Sequence, residues 1–371
     1  MDITVGDIIA ALENWAPPPL AEDWDNIGLQ LGSAKKKVKK LAVCLDLNPQ
    51  TLSQALAFDC LVTHHPLFFK PIKKLSTDAW PGYAVAELLR HDVALVCAHT
   101  NLDAARDGVT EVLAQKLKLE TEGALVPSPG SELFLVSVYV PKGYEERIRQ
   151  FLLATEAAVR GQYKACTFTT EGLGSFYPLA RANPTQGERE RLNLVSESKI
   201  EFLAPAFVLP KLLKGLEELH PYEEVPIDFW PVKGKDPRFG LGRIGELPLE
   251  YTLLDLAQKM GEILNTKGVY LVGEPHRLVR RVALCAGAGG ELWRQALEKG
   301  ADVYLTAEIK YHQAREAEAA GLALITFGHF ESEYLIVPEL ARYFSAWAKE
   351  RGCYLEVSVL EEKAPFQGAF A

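Results

Sequence analysis

Leu61-Val62-Thr63-His64-His65-Pro66 is a short apolar run that stops in two histidines and a proline. Two other stretches follow the same pattern: Ala98-His99-Thr100-Asn101-Leu102-Asp103 and, far downstream, Gly328-His329-Phe330-Glu331-Ser332-Glu333. Each follows an apolar run that reads as a strand, so each histidine stands where a strand ends and a loop begins. Strand ends facing one crevice are where open α/β sheets put their ligands. Adjacent histidines on a straight strand point to opposite faces, but a bend at Pro66 can turn both imidazoles into one pocket. In His99-x3-Asp103 and His329-x3-Glu333 the spacing stacks imidazole on carboxylate if the segment winds as one helical turn. Together these knots supply the imidazoles of His64, His65, His99 and His329 and the carboxylates of Asp103 and Glu333. That is about the ligand count of a two-metal site for borderline divalent ions such as Zn, Fe, Mn, Ni or Co. A lone histidine at a strand end is more often hydrogen-bonded or solvated than a ligand. Three such knots in one chain move the reading toward metal.

At 371 residues the chain is too long for one ordinary core and suits two domains, or one domain with an insertion. Its composition, 48% hydrophobic and 24% charged, is that of a globular protein. A formal net charge of −9 disfavours non-specific nucleic-acid binding, which needs a basic surface. Lys35-Lys36-Lys37 reads as a solvated loop before a strand. Cys44, Cys60, Cys97, Cys166, Cys285 and Cys353 show no C-x2-C spacing, and several lie in apolar runs, as reduced buried thiols do. Met1-Asp2-Ile3-Thr4 has neither a basic nor an apolar leader character, and no apolar run approaches a membrane span. The expected location is the cytoplasm, without a membrane partner.

In chain order, residues 4–14 form an amphipathic helix capped by Thr4, and a proline stop leads into Trp24-Asp25-Asn26. Trp24 and Asn26 either line a pocket or tie down a loop. Strands at Leu41 to Asp46, Cys60 to Thr63 and Val93 to Cys97 alternate with helices at Pro49 to Phe58, Ala84 to Arg90 and Val109 to Leu117. This alternation predicts a largely parallel sheet covered by helices. After Pro127 the order becomes βαββαβ: Leu133 to Val140, Tyr144 to Ala154, Ala165 to Thr169, Ser198 to Phe202, Pro210 to Leu219 and Val225 to Trp230. Gly172-Leu173-Gly174-Ser175-Phe176 reads as a turn. That order is the split-βαβ, ferredoxin-like arrangement. The α/β texture then resumes with Leu253 to Leu264, Val279 to Ala286, Glu291 to Lys299, Val303 to Thr306, Tyr311 to Ala319, Leu322 to Thr326 and a long helix Ser332 to Trp347.

The two α/β segments resemble each other. Val38 to Cys44 can be laid on Val279 to Cys285, Cys60-Leu61-Val62-Thr63 on Val303-Tyr304-Leu305-Thr306, and His99-x3-Asp103 on His329-x3-Glu333. The inference is an internal duplication whose halves face across a pseudo-two-fold crevice, against the rival of chance alignment between α/β units. The domains are then 1–130 with 233–371, a discontinuous metal-binding α/β domain, and an insertion at 131–232.

At this point the chain resembles the NIF-three-like family of dinuclear-metal-centre hexameric proteins, often labelled GTP cyclohydrolase I type 2 homologues. The matching residues are Trp24-Asp25-Asn26-x-Gly28-Leu29-Gln30, Thr63-His64-His65-Pro66, His99-Thr100-Asn101-Leu102-Asp103, Gly300-Ala301-Asp302-x3-Thr306-x-Glu308 and Gly328-His329-x2-Ser332-Glu333. The insertion is similar to the PII and CutA trimeric proteins through Gly161-x-Tyr163-x2-Cys166, Ala182-Asn183-Pro184 and His220-Pro221-Tyr222-Glu223-Glu224. The resemblance implies a toroidal homohexamer with two divalent metals per subunit, held by His64, His65, Asp103, His329 and Glu333. By the same likeness Glu333 bridges them, His99 is a ligand or a neighbour of the ligands, and His312 is an acid/base near the site. A helix-surface histidine is the rival reading for His312. His220-Pro221-Tyr222-Glu223-Glu224 reads as structural rather than cation-binding. Ala307 and Gly287-Ala288-Gly289-Gly290 depart from the family pattern and bear on the pocket's shape.

Two dications against Asp103 and Glu333 leave an electropositive pocket, which favours a small anionic or phosphorylated substrate. The expected function is a metal-dependent hydrolase of a nucleotide or related molecule. The alternative is a metal-binding regulatory or scaffold hexamer whose PII-like domain senses a small ligand.

Overall fold

The structure, a computed structural model, describes residues 2–366. It divides into two compact units, Met1–Ser128 with Pro237–Ala371, and Pro129–Asp236. The inserted unit ends later than 232 because its last strand, Ile227–Lys235, runs past that point. No helix among the described residues is long and apolar enough to cross a membrane.

In Lys40–Cys44 the side chains alternate: Leu41 and Val43 enter one core, Ala42 and Cys44 another. Val282 and Leu284 against Ala283 and Cys285 repeat the pattern in Leu278–Cys285. Strands buried on both faces read as unbroken apolar runs, as parallel strands between two layers must. The first sheet has the order Gly28–Leu31, Ala94–Cys97, Cys60–Thr63, Lys40–Cys44, Glu356–Val359, antiparallel at Gly28–Leu31 and parallel elsewhere. The second has the order Tyr270–Val272, Ala323–Thr326, Val303–Thr306, Leu278–Cys285, Arg243–Thr252, Glu120–Gly123, with its middle three strands parallel. The two sheets exchange strands along the chain: Glu120–Gly123 closes the second sheet and Glu356–Val359 the first.

One core joins the inner faces of both sheets to the helices Val5–Trp15, Val109–Leu117, Leu253–Leu264 and Ile336–Glu350. The first of these starts at a capping box in which Thr4 and Asp7 satisfy each other's backbone N–H groups. The expected helix Ser332 to Trp347 is instead two, His329–Glu333 and Ile336–Glu350.

In the inserted unit the strand order is Ile227–Lys235, Glu132–Pro141, Asn193–Pro205, Phe168–Phe176, all antiparallel. Helices Glu145–Leu153 and Leu209–Leu219 bury Ile148, Leu152, Leu212 and Leu216 against Val136, Val138, Ile200 and Phe202. Gly172 to Phe176, expected as a turn, is strand. Nine residues, Phe168 to Phe176, pair in register with the long Asn193–Pro205 strand, and tertiary pairing overrides the local preference of its glycines.

Candidate metal centre

The ladder of Cys60–Thr63 does not stop at Thr63: His64 N donates to Cys44 O and His65 N to Leu45 O. The Thr63 hydroxyl then donates to the His65 carbonyl at 2.8 Å and bends the chain, so that both imidazoles enter one pocket with ring centres 5.0 Å apart. His99 and His329 each open a single helical turn, Thr100–Ala104 and His329–Glu333, which sets Asp103 and Glu333 beside the cluster.

His65 Nε2 and His329 Nε2 both lie 2.9 Å from Glu333 Oε2, and His64 Nε2 lies 3.6 Å from Asp103 Oδ1 and 4.0 Å from Glu333 Oε2. Three sets of donor atoms, His64 with His65 and His99, His65 with His329 and Glu333, and His64 with Asp103 and Glu333, each fall within 4.8 Å and could hold a metal ion. The structure thus brings together all six residues of the expected ligand set. His312 is not among them: it is exposed on the first turn of the helix Tyr311–Ala319, four positions after Glu308.

Every imidazole is anchored through Nδ1. His64 Nδ1 meets the Ala98 carbonyl at 2.9 Å, His65 Nδ1 meets Asp46 at 2.8 Å, His99 Nδ1 meets Asp25 at 2.9 Å, and His329 Nδ1 meets Glu308 at 2.8 Å. A carbonyl or carboxylate oxygen only accepts, so the Nδ1 proton is fixed and Nε2 is left facing the cluster, the arrangement that orients metal-binding histidines. His64 Nε2 is buried without a hydrogen-bond partner, beside a buried Glu333 Oε2 that the Nε2 atoms of His65 and His329 approach to 2.9 Å. Orphaned buried atoms of this kind cost free energy unless another group completes them. The donor set of nitrogen and oxygen suits a borderline divalent cation.

The orienting carboxylates are themselves held. Asp25 accepts from Thr100 N and Thr100 Oγ1, and the Leu45 and Asp46 N–H groups donate to Glu362 at 2.9 Å. Sequence reasoning did not find the roles of Asp25, Asp46, Glu308 and Glu362. Asp25 and Glu308 stood inside quoted motifs, but nothing local ties them to a histidine. They also add negative charge around the cluster that the sequence expectation did not count, since Asp25, Asp46 and Glu308 join Asp103 and Glu333 beside the imidazoles.

Burial holds His64 down to about 3, so it is neutral across the ordinary range. Burial also opposes charge on His65 and His329, but Asp46 and Glu333 raise the first to about 10, and Glu333 and Glu308 raise the second to about 9. Burial and the charge of Glu333 lift Asp103 to about 7. Glu333 goes the other way: despite its burial, His329 and His65 hold it well below the usual carboxylate range. At the rim, Trp24 and Phe69 are 60% and 51% exposed and both stand edge-on to His99.

Residues 3–365 match the family model Duf34/NIF3 (NGG1p interacting factor 3). The chain belongs to the Duf34/NIF3 family. It is 38% identical over 330 residues to a Bacillus subtilis protein named GTP cyclohydrolase 1 type 2 homolog, an alignment covering 88% of each chain. A Bacillus cereus protein related to NIF3 superposes with a TM-score of 0.86 at 33% identity, covering 100% of both chains. A Staphylococcus aureus structure gives 0.72 at 28% identity over 99% of both. The mixed α/β fold is thus that of NIF3-related proteins, and its histidine and carboxylate cluster could bind metal ions.

Proposed function

We propose that the chain holds two divalent metal ions on His64, His65, His99, Asp103, His329 and Glu333 and acts as a metal-dependent hydrolase of a nucleotide or phosphorylated small molecule. The carrying observation is the set of imidazoles anchored at Nδ1, of which His64, His65 and His329 turn Nε2 toward the carboxylates of Asp103 and Glu333. Bound dications would supply Lewis acidity and lower the pKa of water toward neutrality. Asp46, Asp25 and Glu308 keep the imidazoles in the binding tautomer, and Asp103, raised to about 7 in the metal-free protein, would give up its proton on taking a metal. An anionic group of the substrate would be recognised by the metals themselves. Trp24 and Phe69 offer faces on which a planar base can stack. His312, exposed on its helix, acts as acid/base only on substrate that reaches beyond the cluster.

The same reading places the protein in the cytoplasm as a toroidal homohexamer of duplicated halves, with the inserted unit as a ferredoxin-like, PII/CutA-like domain. Exposed Phe168, Leu173, Leu194 and Phe229 on the inserted unit favour an assembled state.

The test is product detection by mass spectrometry after incubating GTP and a panel of phosphorylated metabolites with Mn-, Fe- or Zn-loaded protein. Turnover that requires metal and is abolished in Asp103→Ala, with assembly unchanged, is the expected result. An unchanged rate in that variant sinks the hydrolase. Silence across the panel with two metals per chain favours the second reading, a regulatory ring, for which the inserted unit's own cavity speaks.

A further inference from the structure

The metal centre leaves one sequence motif unused, His220-Pro221-Tyr222-Glu223-Glu224. His220 Nε2 donates to Tyr139 O at 2.8 Å, and its Nδ1 accepts from Tyr222 N at 3.1 Å, so this imidazole is neutral and serves as a pin. What it pins is Tyr222, whose hydroxyl donates to Glu197 Oε1 at 2.9 Å. Glu197 in turn lies over Gly174, where a Cβ would come within 2.1 Å of Oε2. Across from it, Glu223 Oε1 accepts from Asn183 N at 2.8 Å, and Thr185 Oγ1 donates to Pro221 O at 2.6 Å. These ties hold the segment before Gly187 against the motif and flank a cleft of about 460 Å³ that opens to solvent.

Rings of Tyr139, Phe176 and Tyr222 and the carboxylates of Glu197, Glu223 and Glu224 line that cavity, and no lysine or arginine does. Among the described residues none of the three carboxylates forms an ion pair; the nearby Lys199 is engaged by Glu201 at 2.7 Å and lies over the Tyr139 ring at 5.8 Å, so that ring already faces a cation. The volume is that of a small-molecule site. An anion meets three like charges there. A bare divalent cation wants a shell of oxygens and gains nothing from aromatic walls. A compact organic cation uses both surfaces: its N–H groups reach carboxylates while its charge lies over ring faces.

We propose that the inserted unit is a binding site for a small organic ammonium ion, with Glu197 and Glu223 receiving the charge and Phe176 and Tyr222 the body. This stands whether or not the metal centre hydrolyses anything.

Calorimetric titration of the full chain, metal-loaded and metal-free, with benzylammonium and butylammonium chloride tests it, with sodium benzoate and calcium chloride as controls. One saturable ammonium site per chain is expected, with a Kd of about 1 mM or tighter. Benzoate should give no signal, and Glu197→Gln should weaken binding by about tenfold or more. Glu223→Gln, at an exposed position, is the second variant should the first misfold. No saturable ammonium binding, equal binding of benzoate, stoichiometric displacement by calcium, or indifference to both substitutions each overturns the proposal. So does an occupancy that follows protein concentration rather than ammonium concentration, which would give the cavity to a second copy of the chain.

Discussion

His65 carries two opposing demands, since it is held charged by Asp46 and Glu333 yet must present a bare Nε2 to a metal. In the metal-free protein its raised pKa, like that of His329, stabilises the fold fully below the ordinary value near 6.5. That stability is lost as pH rises through about 9 and then about 10. A metal-free melt should therefore fall in Tm between pH 7 and 10, and metal uptake at pH 7 should release protons, read by titration in buffers of different ionisation enthalpy. Uptake without proton release would contradict the geometry. Asp46→Asn should lower metal affinity about ten- to a hundredfold while leaving circular dichroism unchanged. The six candidate ligands were legible because each ends an apolar run in a chemically distinctive knot. Their anchors were not: Asp25 reaches His99 across 74 positions and Asp46 reaches His65 across 19, distances over which no local pattern operates.

Among elements, the turn His329–Glu333 depends on a neighbour with no side chain. Gly287 has φ +63, and a Cβ there would come within 1.7 Å of Glu333 Oε1. Gly287→Ala is expected to displace Glu333 and weaken metal binding more than it lowers Tm, both measurable on one preparation; equal metal affinity would show that the carboxylate has room to move. The strand Arg243–Thr252 is fixed differently. Arg243, fully buried, donates to Glu111 and to the carbonyls of Gly240, Gly242, Ala105 and Arg106. Arg243→Met leaves Glu111 and four carbonyls to find water, and a loss of about 3–5 kcal/mol in denaturant unfolding is expected. Parallel strands and their helices could be read from apolar runs, since burial on both faces writes itself as composition. Gly172 to Phe176 could not, because its strand identity lies in the partner Asn193–Pro205 rather than in its own residues.

For the molecule as a whole, the insertion leaves and returns at one point. Val126–Pro127 pairs antiparallel with Gly240–Leu241, and Ala124 N bonds Pro237 O at 2.7 Å. Replacing Pro129–Asp236 by a short glycine-serine linker should leave a folded, metal-binding remainder, checked by metal content and melting; loss of metal would mean that the inserted unit supports the site. The exchanged strands are less dispensable. Ending the chain at Tyr354 removes the strand Glu356–Val359 and the Glu362 carboxylate that holds the Leu45 and Asp46 N–H groups. It also leaves Lys40–Cys44 as a bare edge prone to pairing with other chains. During synthesis the same dependence becomes one of timing. A nascent chain that already contains every candidate ligand up to Glu333 still lacks the strand and carboxylate that steady Asp46 and, through it, His65. The donors are made before their frame, so the fully framed candidate site belongs to the finished chain and not to the growing one.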